Sequence, residues 1–203
     1  MCKNMPPLEA AIQFHGHICP GILMGVRAAE FAQKHLGVGQ DYDEELVAVV
    51  ETDSCGVDAI QAILSCTFGK GNLIFRDYGK IVYTIASREK NQAVRIAQKI
   101  DALKGEEFKR YRQLATKGRL TDDEISEKEQ LIGILFEKIM TASFEELFDW
   151  REIPFDMPET ARIHGTVRCE SCGEGVMETR AVQSDKGVLC SPCAAKLGGN
   201  GNV

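Results

Sequence analysis

Four cysteines near the end of the chain form two closely spaced pairs, and this pattern constrains the fold more than any other feature of the sequence. Cys169 and Cys172 make the first Cys-x-x-Cys pair, and Cys190 and Cys193 make the second. The spacing is typical of a site in which four thiolates bind one zinc ion tetrahedrally. A segment this short buries too little apolar surface to fold alone, so we expect Zn²⁺ to supply folding energy here.

The residues around these pairs predict a treble-clef zinc finger. The stretch between them, EGVMETRAVQSDKGVLC, can form a β-hairpin, and CAAKL at the second pair has the composition of a short helix. A closed shell of four thiolates leaves no open coordination position, so we expect this zinc to be structural. The prolines of IPFDMPETARIHG (153–165) mark a linker, and we place the finger domain at residues 159–203, after a core domain at residues 1–158.

The overall composition indicates a protein whose thiols stay reduced. The 203 residues include eight cysteines, and the chain has no recognisable signal peptide. No apolar run approaches the roughly 20 residues that cross a bilayer. We therefore expect a cytoplasmic protein without membrane attachment, in which cysteines bind metal and do not form disulfides. The formal net charge of −6 argues against nucleic-acid binding, which usually requires a basic excess.

A second group of metal-binding residue types lies near the start of the chain, in FHGHICPGILMG (14–25). His15, His17 and Cys19 occupy alternate positions, which face the same side of an extended chain. Pro20 is a favoured first residue of a helix, and apolar spacing predicts that helix over residues 20–36. The Cys19 thiol would then lie at a helix N-terminus, where the helix dipole stabilises a thiolate.

The stretch VETDSCGVDAIQ supplies a third thiol in a similar position. Cys55 follows a predicted strand at residues 45–51 and precedes a predicted helix at residues 56–66. Two thiols and an imidazole would give three protein ligands and leave one position open, as in catalytic zinc sites. The sequence thus predicts a core site for Zn²⁺ or another divalent transition metal, held by His17, Cys19 and Cys55.

Each of these residues also has a plain structural interpretation. Either histidine can cap a helix or bond to a carbonyl group, and Cys55 can simply pack in the core. Cys66 lies eleven positions after Cys55, about 16 Å along an unbroken helix, so we expect it to be a buried apolar cysteine. Cys2 is expected to be incidental. Lys70, in a glycine-rich stretch that lacks the Walker pattern, is a candidate contact for an anion.

The rest of the chain is organised around predicted strands and charged helices. Residues 72–87 predict two strands joined by a turn near Asp77. Residues 89–150 are strongly charged and predict helices, one of which begins at a capping box formed by Thr121 and Glu124.

Two long blocks carry a family resemblance. FHGHICPGILMGVRA and VETDSCGVDAIQAILSCTFGKGNLIFRDYGK resemble the signature stretches of the FmdE family, which is named for a subunit of formylmethanofuran dehydrogenase, and the tail resembles the zinc-finger extension of some members. The resemblance covers about residues 8 to 155. It implies an α+β core with a mixed β-sheet flanked by helices, thioredoxin-like in outline and commonly a homodimer. It also implies a metal site at His17, Cys19 and Cys55.

The resemblance and the residues together leave three functional hypotheses open. Family members are associated with an enzyme that reduces carbon dioxide onto methanofuran at a molybdenum or tungsten pterin centre, but no segment here resembles a pterin-binding protein or a ferredoxin cysteine run. The first hypothesis is therefore an accessory or regulatory metalloprotein that binds the subunits of an oxidoreductase. The second is a stand-alone zinc enzyme with Cys55, His15 and Asp53 as catalytic candidates. The third is a thiol redox protein that uses Cys19 and Cys55.

Overall fold

The computed structural model describes residues 5–197, which divide into two compact units. One unit ends at Thr160 and the other begins at Ala161. Cys2 lies outside the described residues. Within residues 5–197, no helix has both the length and the apolar character needed to cross a membrane.

The first unit is built on a mixed five-stranded sheet, as expected for an α+β core. The strand order is β2-β1-β3-β4-β5, with β2 parallel to β1 and every other pair antiparallel. The strands are β1 (Leu46–Val50), β2 (Leu73–Phe75), β3 (Val82–Ser87), β4 (Gln92–Gln98) and β5 (Phe148–Glu152).

Helices flank this sheet and supply most of the core. They are α1 (Pro7–His15), α2 (Pro20–Leu36), α3 (Gly56–Leu64), α4 (Glu106–Ala115), α5 (Asp122–Thr141) and α6 (Phe144–Leu147). Alternate residues of β1, Leu46, Ala48 and Val50, lie in one buried cluster with the apolar residues of α2. The predicted capping box at the start of α5 is confirmed, since Thr121 and Glu124 each bond to the other's backbone N–H.

The structure differs from the sequence prediction in the placement of four strands. β2 and β3 do not pair with each other but flank β1 on opposite sides. Every residue of β1 is buried, and a strand of this kind takes a central place with a partner on each edge. β4 lies within residues 89–150, where charge predicts helices, and β5 begins at the end of this range. β5 exposes four of its five residues and is positioned by its pairing with β4, so it carries no apolar alternation.

A close approach between α2 and α3 sets the geometry of the candidate site. A Cβ atom added at Gly25 would lie 2.3 Å from the carbonyl oxygen of Gly56, and one at Gly21 would lie 3.0 Å from the Cβ atom of Cys55. Only residues without a side chain allow the helices to pack this closely. Cys19 and Cys55, which are the N-cap residues of α2 and α3, therefore lie side by side.

The second unit has the parts of a zinc finger in the predicted order. β6 (Thr166–Arg168) pairs with β7 (Gly175–Met177) around the first cysteine pair, and β8 (Val182–Ser184) pairs with β9 (Gly187–Leu189) before the second. Helix α7 (Ser191–Leu197) contains Cys193. Cys169, Cys193 and Leu189 form the small buried core of this unit, so its interior is made largely of the cysteines.

Candidate metal centre

The end of α1 and the start of α2 bring three potential ligands together. His15 is the last residue of α1, and Cys19 is the N-cap of α2. His15, His17 and Cys19 each offer a ligand atom within 4.8 Å of the others, and the two imidazole centroids are 4.5 Å apart. The structure thus gathers both histidines of the sequence motif around one thiol.

The sulfur of Cys19 has two polar neighbours at the start of α2. This Sγ atom accepts a hydrogen bond from the backbone N–H of Ile22 at 3.4 Å, at the positive end of the α2 dipole. The Nε2 atom of His15 lies 3.8 Å from the same sulfur. Cys19 is buried, so these two groups provide much of its polar surroundings.

Asp58 fixes the orientation of His15. Its Oδ2 atom lies 2.7 Å from Nδ1 of His15, whose side chain is 11% exposed. A carboxylate on one imidazole nitrogen leaves the other nitrogen free to bind, and most metal-ligating histidines have such a partner. Asp58 was not among the residues predicted from the sequence. Its position three residues after Cys55, on the same face of α3, was the available signal.

Cys55 is the N-cap residue of α3, and it lies beside Cys19, next to the first turn of α2. A Cβ atom added at Gly21 would lie 3.7 Å from Sγ of Cys55 and 3.8 Å from Sγ of Cys19, so both sulfurs occupy the same side of this turn. Burial, and then the neighbouring Cys19, raises the pKa of the Cys55 thiol. A bound cation would oppose both effects and favour the thiolate. Cys55 is not part of the mutual cluster of His15, His17 and Cys19.

The other sequence candidates lie elsewhere. Asp53 is exposed in the connection between β1 and α3, and it is not among the described residues that line the cavity beside the thiols. Lys70 pairs with the buried Asp41 and donates a hydrogen bond to the Asp43 carbonyl at 2.6 Å. Cys66 is completely buried, as expected, and burial raises the pKa of its thiol to about 12.

The two thiols line a cavity of about 660 Å³. His17 lines it as well, together with residues of α4. Tyr111 of α4 lies close enough that burial, followed by the two thiols, raises the pKa of its hydroxyl. The cavity volume is in the range of small-molecule sites. Sequence reasoning missed this wall, because α4 lies far from both motifs in the chain.

The four cysteines of the second unit converge as their spacing predicts. Their sulfurs all lie within 4.8 Å of one another, and Sγ of Cys172 is 3.9 Å from Sγ of Cys190. Backbone N–H groups of Cys172 and Cys190 lower the pKa of the Cys169 thiol to about 6. This arrangement is compatible with a zinc finger and could hold one metal ion.

Comparison with known proteins agrees with this architecture. A curated protein of Archaeoglobus fulgidus (strain ATCC 49558 / DSM 4304 / JCM 9628 / NBRC 100126 / VC-16), named probable S-adenosyl-L-methionine-binding protein, is 32% identical over 194 residues. The match covers 92% of this chain and 52% of that protein, so the chain spans about half the length of this relative. A crystal structure of a tungsten formylmethanofuran dehydrogenase FmdE-like protein from Syntrophus aciditrophicus superposes with a TM-score of 0.64. It shares 23% identity, with 93% of this chain and 90% of that chain covered, and this likeness shows the fold.

The family comparison covers both motifs of the first unit. The family described as FmdE, molybdenum formylmethanofuran dehydrogenase operon, matches residues 14–149. These residues run from the first histidine motif to the last strand of the sheet. The chain belongs to the FmdE family, as its two sequence blocks predict.

Proposed function

We propose that this FmdE-family chain is an accessory or regulatory metalloprotein with an open metal site in its first unit. The observation that carries the proposal is the cluster of His15, His17 and Cys19, with Cys55 beside Cys19, next to a cavity that His17 and both thiols line. Two thiols and an imidazole are a donor set suited to Zn²⁺ or another divalent transition metal. Three such ligands would leave one coordination position open.

The two thiols and one imidazole would hold the ion. Either His15 or His17 can supply that imidazole, and the metal content of alanine variants tells the two apart. The sequence predicts His17, which lines the cavity. The structure adds His15, because its Nε2 atom faces Cys19 and Asp58 occupies its other nitrogen. An alanine variant of the true ligand loses the core metal, whereas the variant of the other histidine keeps it.

A bound divalent ion at this position would supply Lewis acidity to a molecule in the cavity. The residues of the chain would contribute orientation and proton transfer, with His15 held in one tautomer by Asp58. A stand-alone enzyme is the second candidate function, and the cavity beside the thiols is the observation that favours it. A thiol redox role requires a disulfide between Cys19 and Cys55, and quantifying free thiols after mild oxidation tests it.

The proposed assembly follows from the family. We propose that the chain forms a homodimer in the cytoplasm and binds subunits of a molybdenum or tungsten oxidoreductase, in accord with the operon for which the family is described. The second unit would hold a structural Zn²⁺. Recovery of oxidoreductase subunits with the chain from its native host supports the accessory role, and a solitary homo-oligomer there contradicts it.

Cobalt substitution tests the open site directly. Co²⁺ replaces Zn²⁺ in thiolate sites and gives an absorption spectrum that reports its ligands. Azide added to the full-length Co²⁺ protein should change the spectrum of the core site and leave that of the closed finger site unchanged. Cys55→Ala should abolish the azide response, and Cys66→Ala, which removes a buried thiol outside both clusters, should retain it. A spectrum insensitive to azide contradicts the open site.

A further inference from the structure

The cavity beside the thiols has charged walls of one sign. Arg112 of α4 and Lys128 of α5 line it, and no aspartate or glutamate is among its described lining residues. The chain as a whole carries a formal net charge of −6, so the charge of this cationic lining is opposite in sign to the net charge of the chain. A cavity with this lining attracts an anion.

The two cations are also unusual among their neighbours because they lack a carboxylate partner. On the same helices, Arg110 pairs with Glu127 at 2.7 Å, and Lys138 pairs with Glu107 at 2.9 Å. Across residues 5–197, no ion pair involves Arg112 or Lys128. The helices therefore neutralise the cations on their outer surfaces and leave those at the cavity free to bind a ligand.

A buried hydroxyl group lies in the wall of the same cavity, near Cys55. Tyr83 of β3 is completely buried and lines the cavity, and its hydroxyl lies over Gly56, beside Cys55. In the described part of the chain this hydroxyl makes no hydrogen bond of good geometry, although the Ser54 side chain lies near it. A buried hydroxyl without such a bond is unfavourable unless a bound molecule or water accepts a hydrogen bond from it.

Much of the remaining lining of the cavity is apolar. Phe108 belongs to α4 and Leu103 precedes it, and Ile81 and Ile100 also line the cavity. A ligand that spans the cavity must therefore combine an apolar body with polar ends. Arginine and lysine bind carboxylate and phosphate groups through charge-assisted hydrogen bonds.

We propose that the cavity binds a small organic anion, with its acidic group at Arg112 and Lys128 and its apolar body along Leu103 and Phe108. A second polar group of the ligand accepts a hydrogen bond from Tyr83 and lies beside the thiols. This assignment rests on the proposed metal site, since the polar group of the ligand that bonds to Tyr83 would lie beside the thiols. It names the class of molecule that would bind next to that site. The acidic group is a carboxylate or a phosphate ester, which share the required charge.

The test uses full-length, metal-loaded protein and three probes of equal chain length: hexyl phosphate, hexanoate and neutral hexanol. Calorimetric titration should show binding of at least one anion, about tenfold or more tighter than that of hexanol. The anion that binds with the higher affinity shows whether the acidic group is a phosphate ester or a carboxylate. Equal binding of hexanol, or no binding of either anion, overturns the proposal.

Charge-neutralising variants locate the anion. Arg112→Gln and Lys128→Gln should each weaken binding of the preferred anion by about tenfold. Lys109→Gln is the matched control, because Lys109 lies on α4, pairs with Glu106 at 3.8 Å and is not a lining residue. Wild-type affinity in both cavity variants overturns the proposal.

The metal content of the same samples separates this inference from the proposed function. Arg112→Gln and Lys128→Gln should keep the metal content of the wild type, because neither side chain is a ligand. If Cys19→Ala and Cys55→Ala lose no metal while the cavity variants lose anion affinity, the metal site fails and anion binding stands. If the cysteine variants lose metal and the cavity variants bind the anion normally, the metal site stands and the proposal of anion binding at Arg112 and Lys128 fails.

Discussion

Asp58 tests the site apart from its candidate ligands, because its carboxylate bonds to the His15 imidazole. We expect Asp58→Asn to lower the metal affinity of the core site by about ten to a hundredfold, since the amide no longer carries the charge that orients and polarises the imidazole. Competition with a chromophoric chelator measures this change. Asp53→Asn, at an exposed carboxylate outside the cavity, is the control and should leave the affinity unchanged.

An Asp58→Asn protein with the metal affinity of the wild type would show that the contact between Asp58 and His15 only supports packing. The far-ultraviolet circular dichroism of both variants should match that of the wild type, because Asp58 is a partly exposed residue on the surface of α3. Loss of helical signal in Asp58→Asn would attribute any metal loss to unfolding, and His15→Gln would then provide the independent variant.

At this scale the sequence predicted the residues that cluster at the candidate site but not the residues that contact them. His15, His17 and Cys19 lie in one short motif, and residue chemistry with helix-start signals was enough to single them out. Asp58 lies 43 positions from His15, and Tyr83 and Arg112 come from separate elements. Only the packing of α3, β3 and α4 brings them to the site, and no local pattern encodes that packing.

Among the elements, the contact between α2 and α3 determines whether the thiols meet. We expect Gly25→Ala to lower the free energy of unfolding by about 1–3 kcal/mol, because the added methyl group would overlap the Gly56 carbonyl and force the helices apart. The separation should also weaken the core metal site. Urea unfolding and metal analysis of the same preparation measure the two effects.

Gly133→Ala provides the matched control for that substitution. Gly133 lies within α5, and a Cβ atom added there meets nothing within 4 Å. The free energy of unfolding should rise by about 0.5–1 kcal/mol, because alanine costs less backbone entropy in a helix than glycine. A Gly25→Ala protein as stable and as metal-rich as Gly133→Ala would contradict close packing as the origin of the site geometry.

The loop before β1 carries a pH dependence. Glu45 accepts hydrogen bonds from the backbone N–H groups of Asp43 at 2.9 Å and Tyr42 at 3.1 Å, and the bond from Asp43, followed by a bond with the Asp41 side chain, lowers its pKa to about 2. Because the pKa in the folded state lies below the ordinary value of 4.5, this stabilisation is fully present above pH 4.5 and is lost as the pH falls towards 2. The stability difference between wild type and Glu45→Gln should shrink over that range in urea unfolding. A constant difference would contradict it.

The elements also show where sequence patterns suffice. Helices α2 and α3 were predicted closely, because each has a clear start signal and a regular apolar stripe. The sequence does not predict the pairing of β2 and β3 with β1, because strand order depends on long-range contacts. β5 was missed because an edge strand with one buried residue is held by its neighbour, not by its own composition.

At the scale of the whole molecule, the two units are expected to differ in what a metal ion does for them. The finger has four thiols in mutual contact and its core consists largely of them, so its metal would maintain the fold. The first unit has an extensive apolar core to which Cys19 and Cys66 contribute only a small part, so it should remain folded without metal. A chelator should therefore unfold the finger and leave the circular dichroism of the helices of the first unit largely intact.

The most direct test of the central claim is the metal-to-protein ratio of the full-length chain and two double variants, measured by elemental analysis. We expect about two ions per chain for the wild type. We expect about one for Cys19→Ala with Cys55→Ala, and about one for Cys172→Ala with Cys193→Ala. A Cys19→Ala, Cys55→Ala protein that holds as much metal as the wild type would contradict the existence of a metal site in the first unit.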